Sequence, residues 1–590
     1  MNLTLWPQGR GVIAAALGML ILLSSCAEVR VEPVPAHVRG VHVPDTNAQA
    51  QLARQNFESL RNMYGHEWAL RNHAAPPERC LALSGGGIRS AAFSIGVMER
   101  LAHLSTPPDD LSRLDVVSGV SGGAYALAWY YWQLSIETST SPSIFTRWQE
   151  LDRLEKESDI VDRPKYVGLL AVDLLMSPVN FVLNGVFGWH ANTTPGRPWY
   201  ESRIRQIFLG GQTITLSSFK TLLQQRQAPL FIVNATAYID DDRNYYGALL
   251  ANSVFEFTPF WYGSDAFGYS WDHPDDLDFA RAVAISGAAL DSSTMAGSSQ
   301  KTLSSLLNVD LGMYLRNFGH AAEPPSWKKL LPFPGYLFTD RYLRDPRGES
   351  VYVTDGGHSD NLGMFSLVRR LCSRIIVVDA EHDPEYRFNS YFKLQAALKR
   401  ELGVEFIVDK IEKTRGAARW CRYASVASGC VEGKNGSDMK AQEQGTRSWE
   451  RKQGSKFYED PTSVMTGVIR GFPEISGKEK HIQVIYIKLS LNPEKISEYP
   501  RKAVQEYYAT SSRKRINPGL PPSGCLETYS YLRLLVFGCV FPQEATTDQA
   551  FTKHQFDAYR KLGDFITCRA HKEIQEFLGV GITDTMQCPT

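Results

Sequence analysis

The 590-residue sequence has no excess of either charge: Lys+Arg and Asp+Glu each number 63. Without a net positive field nothing global holds nucleic acid, and no nucleic-acid partner is expected. There is no CxxC pair and no histidine-rich cluster, so the usual zinc frameworks are missing; neither a metal nor another cofactor is expected. No internal repeat is present, which excludes solenoids and propellers. At 43% hydrophobic and 21% charged residues, the composition excludes a disordered chain, a coiled coil and a polytopic membrane protein. Arg513-Lys514-Arg515 is a local basic cluster in a polar stretch and reads as solvated surface.

What is present begins at the N-terminus. One charge, Arg10, precedes an apolar run from Gly11 to Leu23 that is too short to span a bilayer and reads as a secretory signal. The run ends Leu23-Ser24-Ser25-Cys26, which resembles the lipobox of bacterial lipoproteins. That resemblance implies a signal peptide over 1–25, a lipid anchor at Cys26 and attachment to a membrane surface. It places the chain in a bacterial cell envelope, at an outer membrane facing the periplasm or the exterior. An ordinary signal peptide with an incidental cysteine is the alternative. Among the other cysteines, Cys80 and Cys372 border apolar runs and read as buried thiols. An oxidising compartment would let the neighbours Cys421–Cys430, Cys525–Cys539 and Cys568–Cys588 pair.

Residues 26–76 read as a tether and a leading helix, 77–400 as a catalytic domain, and 401–590 as a C-terminal extension stapled by cysteines. The apolar run Cys80–Leu83 predicts a strand, and Ile88–Leu104 a helix with an apolar face at Ile88, Ala92, Ile95 and Leu101. A second strand over Leu114–Ser118 and a second helix through Tyr131 complete a βαβ unit, which implies a parallel sheet with helices on its faces. Further strands are expected at Pro229–Asn234, Val351–Thr354, Arg374–Asp379 and His481–Leu491. The first three read as buried parallel strands. A helix over Leu362–Leu371 would make Val351–Asp379 another βαβ unit. Helical patterns recur at Asp548–Leu562 and Ala570–Leu578. Tyr166–Phe187 reads as an interfacial hairpin or a buried helical pair. The aromatic run from Phe255 to Trp271 reads as an acyl-binding cleft or as core.

Three motifs carry chemistry. Gly119-Val120-Ser121-Gly122-Gly123 is a G-x-S-x-G match between a strand and a helix, where flanking glycines let the chain turn sharply and expose the serine oxygen. Ser84-Gly85-Gly86-Gly87-Ile88-Arg89-Ser90 also joins a strand to a helix. Its consecutive amides at a helix N-terminus suit an oxyanion. They would also suit a dinucleotide, but Ser90 stands where that fingerprint wants Gly or Ala. Arg89 adds a cation able to pair a substrate phosphate, or is simply surface. Asp355-Gly356-Gly357-His358 follows a strand and puts a carboxylate at its end, or is only a turn.

In order and context, these motifs resemble the patatin-like phospholipase family over residues 79 to about 380. The resemblance implies a parallel-sheet α/β/α sandwich and a Ser-Asp dyad without histidine. Ser121 would be the nucleophile, Asp355 the base, and Gly85, Gly86 and Gly87 the oxyanion hole, with Arg89 beside them. The substrate would be a phospholipid or another acyl ester, cleaved through an acyl-enzyme. The sequence departs from plant patatins at Ser84, where they have Asp, and at Ser90, where they have Gly. Many members have Ala where Gly357 stands. Two other readings remain open: a Ser-Asp-His triad using His358, His382 or His481, and a lipid-anchored envelope protein without turnover.

Overall fold

Short apolar runs that end in glycine-rich turns build the centre of the fold. The computed structural model of the chain describes residues 64–71, 76–104, 111–135, 196–237, 253–270, 277–288, 311–316, 350–383, 386–415, 463–472, 480–491, 497–510, 541–544, 546, 551–579 and 588. The signal segment with Cys26, the stretch 166–187, Trp271, and Cys421, Cys430, Cys525 and Cys539 lie outside these residues.

In chain order the main elements are α1 (64–70), β1 (Arg79–Leu83), α2 (Gly87–His103), β2 (Val116–Val120), α3 (Gly122–Ser135), α4 (Gly196–Phe208) and β3 (Leu230–Ala237). Then come β4 (Val254–Phe257), β5 (Tyr262–Ser264), β6 (Gly268–Ser270), α5 (Phe279–Ser286), β7 (Met313–Arg316), β8 (Ser350–Asp355), α6 (Phe365–Arg369) and β9 (Arg374–Asp379). The last group is α7 (Asn389–Leu402), β10 (Glu405–Ile407), β11 (Val464–Arg470), β12 (Ile482–Lys488), α8 (Glu498–Thr510), α9 (Lys553–Arg569) and α10 (His571–Leu578).

Among the described residues the strands form one mixed sheet in the order β10-β11-β12-β9-β1-β2-β3-β4-β5-β6, with β8 also on β3 and β7 on β8. The centre, β12-β9-β1-β2-β3, is parallel. β1, β2 and β3 are buried almost throughout, as strands covered by helices on both faces must be. The parallel α/β expectation therefore holds for the centre, and antiparallel strands extend both edges.

Several readings are corrected. Residues 351–379 are not a second βαβ unit, because β8 runs antiparallel to β3 while β9 lies between β1 and β12. A fully buried strand is apolar in either direction, so the run could not reveal its sense. β2 starts two residues later than expected and reaches the elbow itself. Asp115 is kept out because its carboxylate accepts from the amides of Glu78 (2.7 Å) and Arg79 (2.9 Å). Cys80 and Cys372 are not free thiols but a disulfide, and Cys568–Cys588 forms as expected. The aromatic run is core: Phe255, Phe257, Phe260 and Trp261 are buried.

The sheet runs across the boundary expected at residue 400, since β12 pairs directly with β9. Beyond it, α9 packs along α2 through two glycines. A Cβ on Gly96 would lie 1.9 Å from the Arg560 carbonyl oxygen, and one on Gly563 2.3 Å from that of Phe93. Arg100 pairs with Asp564 (2.6 Å) beside this crossing. At the other end of the chain, Glu67 of α1 is buried and accepts from Arg370 Nε (2.8 Å) and Trp261 Nε1 (3.0 Å). Arg370 also holds Glu256 (2.8 Å), so removing either acid would leave a buried cation short of a partner. Among the described residues no helix is long and apolar enough to cross a membrane.

Candidate active site

The site is assembled on β3. One edge of that strand carries β2 as far as the pair Val120–Asn234. The opposite edge carries β4 along Val233–Thr236. β8 pairs with Ala235–Ala237, so it must share the edge of β2, running in the opposite direction. The two strands meet end to end. Val120 lies against Asn234, and Asp355 lies against the next residue, Ala235. Gly356 fills the joint, where an added Cβ would stand 2.3 Å from the Asn234 carbonyl oxygen and 2.9 Å from Val120 Cγ1. Register alone thus brings Ser121 and Asp355 to one place, and they are only 5% and 6% exposed.

Ser121 occupies the left-handed region at φ 49°. A non-glycine residue there is strained and needs its surroundings to hold it. Its N–H donates to Ser286 Oγ (2.8 Å), which in turn donates to the Asn234 carbonyl (2.6 Å). The Asn234 side chain donates to Ser118 Oγ (2.5 Å) and accepts from Ser366 Oγ (2.7 Å). The following glycines are required by close approach. A Cβ on Gly122 would lie 2.0 Å from the Gly87 carbonyl oxygen, and one on Gly123 2.3 Å from that of Leu83. The serine elbow is therefore pressed, backbone to backbone, against the glycine loop.

That loop is fixed from several sides. Ser84 Oγ accepts from the Ala380 amide (2.8 Å), and Ser90 Oγ donates to the Ser84 carbonyl (2.6 Å). Both serines at which the chain departs from plant patatins thus hold the loop in place. The three glycines are not equivalent. The Gly85 N–H already donates to the Asn361 carbonyl (2.8 Å), which removes it from the expected oxyanion set. Gly86, at φ 145°, and Gly87, at φ 65°, open α2, and Gly86 provides no side-chain cap. The first amides of a helix have no acceptor within it, so Gly86 and Gly87 are the pair suited to an oxyanion.

Arg89 does not face the site as a free cation. It is 1% exposed, and its guanidinium donates to the Ala380 carbonyl (3.1 and 3.0 Å), to Thr546 Oγ1 (3.3 Å) and to the Glu544 carbonyl. Arg89 ties the start of α2 to Ala380, just past β9, and to Glu544 and Thr546. Burial lowers its pKa to about 10, opposed first by Glu544.

Asp355 sits in unstrained backbone at φ −50°, ψ 128°, and its Oδ1 accepts from the Gly357 N–H (2.6 Å). Behind the loop, Asn361 Nδ2 donates to Ser390 Oγ (3.1 Å), and that hydroxyl donates to Glu381. Burial and then Asp379 push Glu381 up to about 7. Fully buried Lys488 balances this group, 2.9 Å from Asp379 and 3.3 Å from Asp383. Among the described residues no group of His, Cys, Asp and Glu could hold a metal.

The three histidines separate clearly. His481 precedes β12, whose Gln483 pairs with Arg374 at the start of β9, so it lies at the opposite end of the sheet. His382 follows β9, and burial and then Arg89 lower its pKa. His358 is three residues past Asp355, and its Nδ1 is buried with no hydrogen bond among the described residues. Sequence reading missed Asn234, Ser286, Asn361, Tyr125 and Tyr200. Two signals were there: a polar Asn closing the apolar run Leu230–Val233, and a Tyr one helical turn after the serine.

Residues 81–289 match the family model described as patatin-like phospholipase. The match covers the glycine loop and the serine elbow and ends before β8. Among solved structures, human GIVD cytosolic phospholipase A2 is 13% identical with a TM-score of 0.43, over 90% of this chain and 66% of that one. The same human protein in complex with methyl gamma-linolenyl fluorophosphonate is 13% identical with a TM-score of 0.41, over 90% and 63%. With that inhibitor and terbium chloride the values are 12% and 0.40, over 90% and 64%. The chain spans slightly less than two thirds of the length of these proteins. A comparison with curated proteins finds no match.

Proposed function

We propose, from the match of residues 81–289 to the patatin-like phospholipase model, that the chain is a lipid acyl hydrolase working through a Ser121–Asp355 dyad. The observation that carries this reading is the end-to-end meeting of β2 and β8 on one edge of β3. It sets a strained serine and a nearly buried carboxylate at the same level of the sheet.

In the proposed reaction Asp355 takes the Ser121 hydroxyl proton while Oγ attacks the acyl carbonyl carbon. The Gly86 and Gly87 amides receive the negative charge on the carbonyl oxygen. The intermediate collapses, Asp355 returns the proton to the leaving alcohol, and an acyl-Ser121 ester remains. Water, deprotonated by Asp355, then releases the fatty acid and regenerates the serine. A carboxylate is a weak base, so low solvent access and well-placed oxyanion donors must do much of the work. The substrate is a phospholipid or another acyl ester met at a membrane surface.

The triad reading is best represented by His358, three residues past Asp355 and half-buried, with its Nδ1 unbonded among the described residues. Labelling with a serine-directed fluorophosphonate, followed by incubation with mixed phospholipids, tests the main reading. Modification at Ser121 and release of fatty acid are expected; an unlabelled serine in the folded protein would refute it. The Leu23-Ser24-Ser25-Cys26 sequence further supports a lipid-anchored envelope protein. Cys26→Ser should leave the protein soluble or unprocessed. An unmodified mature N-terminus elsewhere would remove the anchor.

A further inference from the structure

A buried pair of phenols stands behind the serine. Tyr125 follows Ser121 by one helical turn of α3, with its amide donating to the Ser121 carbonyl (3.1 Å). Its hydroxyl is hydrogen-bonded to that of Tyr200 on α4, and the Ser121 side chain is a near neighbour that counters, after Tyr200, the upward push of burial on its pKa. Tyr200 in turn donates to the Gly287 carbonyl (3.0 Å). Gly287 leaves room for both phenols, since a Cβ there would stand 2.3 Å from the Tyr125 hydroxyl and 2.7 Å from that of Tyr200. The residue before it, Ser286, holds the Ser121 amide. Both tyrosines are buried, and burial pushes the Tyr125 phenol well up, so it stays protonated.

We propose that Tyr125 is a catalytic residue whose hydroxyl is a reversible hydrogen-bond partner of Ser121 Oγ, and that Tyr200 is its positioning residue. The inference rests on the serine-esterase reading above. A phenol has one proton to give. Tyr200 gives its proton to Gly287, so Tyr125 gives its own to Tyr200. What Tyr125 has left for Ser121 is a lone pair, and in the resting site the serine O–H points at it. When a substrate carbonyl arrives, the serine O–H swings to Asp355. The Oγ–H bond breaks, an Asp355 O–H bond forms, and the electron pair left on Oγ makes the new bond to the acyl carbon. Tyr125 then turns its hydroxyl from Tyr200 toward Oγ and donates to the charge developing there. A neutral donor at that atom reduces the basicity that Asp355 must supply, which is what a carboxylate base needs.

The test compares wild type, Tyr125→Phe and Tyr200→Phe on a short-chain ester across pH, with fluorophosphonate labelling alongside. Tyr125→Phe keeps the ring and its stacking on Phe208 and loses only the hydroxyl. Its kcat should fall about 10²-fold, the typical cost of one donor lost at a charged oxygen, with KM within about twofold. The acid limb of kcat/KM should also move to lower pH. Without Tyr125 to accept it, the serine O–H donates to Asp355 in the free enzyme and favours the ionised carboxylate. Tyr200→Phe leaves the Tyr125 hydroxyl in place and should cost less than about fivefold. Wild-type kcat and pH profile in Tyr125→Phe, with Ser121 still labelled, would overturn the tyrosine role alone. Equal losses in both variants with an unmoved pH profile would mean packing and would overturn it too. Failure of wild type to label or to hydrolyse esters would instead bring down the esterase reading beneath it.

Discussion

Ser121 and Asp355 reach the same point on β3 from opposite directions, and the two arms are held by different means. The serine arm is backbone against backbone. Ser121 is in left-handed geometry, and a methyl group on Gly122 or Gly123 would overlap the carbonyl oxygens of Gly87 in the glycine loop and Leu83 at the end of β1. On the acid arm, Asp355 is in ordinary extended backbone and its carboxylate is held by the Gly357 amide. The nearest neighbours of a methyl group on Gly357 would be side-chain atoms, Asn361 Oδ1 at 2.8 Å and Asp355 Oδ1 at 3.0 Å. Only at Gly356 does the acid arm press on main chain. Main-chain contacts cannot move aside without moving a strand or helix, whereas side-chain tips can. The serine arm should therefore fail abruptly under substitution and the acid arm by degrees.

The largest effect should come from the two groups proposed to react. Ser121→Ala and Asp355→Asn should each reduce ester hydrolysis by something on the order of 10⁴-fold while the protein stays folded. Unequal losses, with Asp355→Asn nearly active, would break the idea that both arms serve one reaction. Next comes Gly122→Ala, which should destabilise the fold by about 3 kcal/mol and abolish activity. Thermal unfolding measures this, and an unchanged midpoint would show that the loop and elbow are not in contact. His358→Ala should cost about tenfold through disturbance of the turn that carries Asp355. A loss equal to that of Ser121→Ala would replace the dyad with a triad. Smallest is Gly357→Ala, expected to lower kcat by about threefold at most and leave stability within about 1 kcal/mol. A collapse there would mean that the acid arm is as rigid as the serine arm.

The difference between the arms also explains what the sequence disclosed. β1, α2, β2 and α3 were legible because each turn falls between an apolar run and a helical period, with glycines where the chain bends. Ser121 and Asp355 stood out for the same reason. The direction of β8 did not, because hydrogen-bond sense leaves no mark on a fully buried strand. The partners of Arg89 were not legible because nothing near it in the chain shows them: Ala380 and Glu544 lie 291 and 455 residues away. The same distance problem hid the Cys80–Cys372 disulfide, whose separation is 292. Gly85 looked equivalent to Gly86 and Gly87 until Asn361 was seen to accept from its amide. Ser286 and Tyr200 belong to helices with no motif of their own.

The contacts of α2 also bear on when the protein can begin to work. That helix presents the Gly86 and Gly87 amides, yet its arginine is satisfied by the Glu544 carbonyl and its groove at Gly96 is filled by α9. A ribosome delivers Glu544 455 residues after Arg89, and pairings so distant in sequence form late in folding. A nascent chain that already contains Ser121 and Asp355 would still have the start of α2 only partly braced, with Arg89 short of the Glu544 carbonyl and the groove at Gly96 not yet covered by α9. Competence would then be deferred until α9 has been made and has closed on α2. For the acyl-ester hydrolase proposed above, such a delay would keep unfinished copies harmless to the membranes of the cell that makes them.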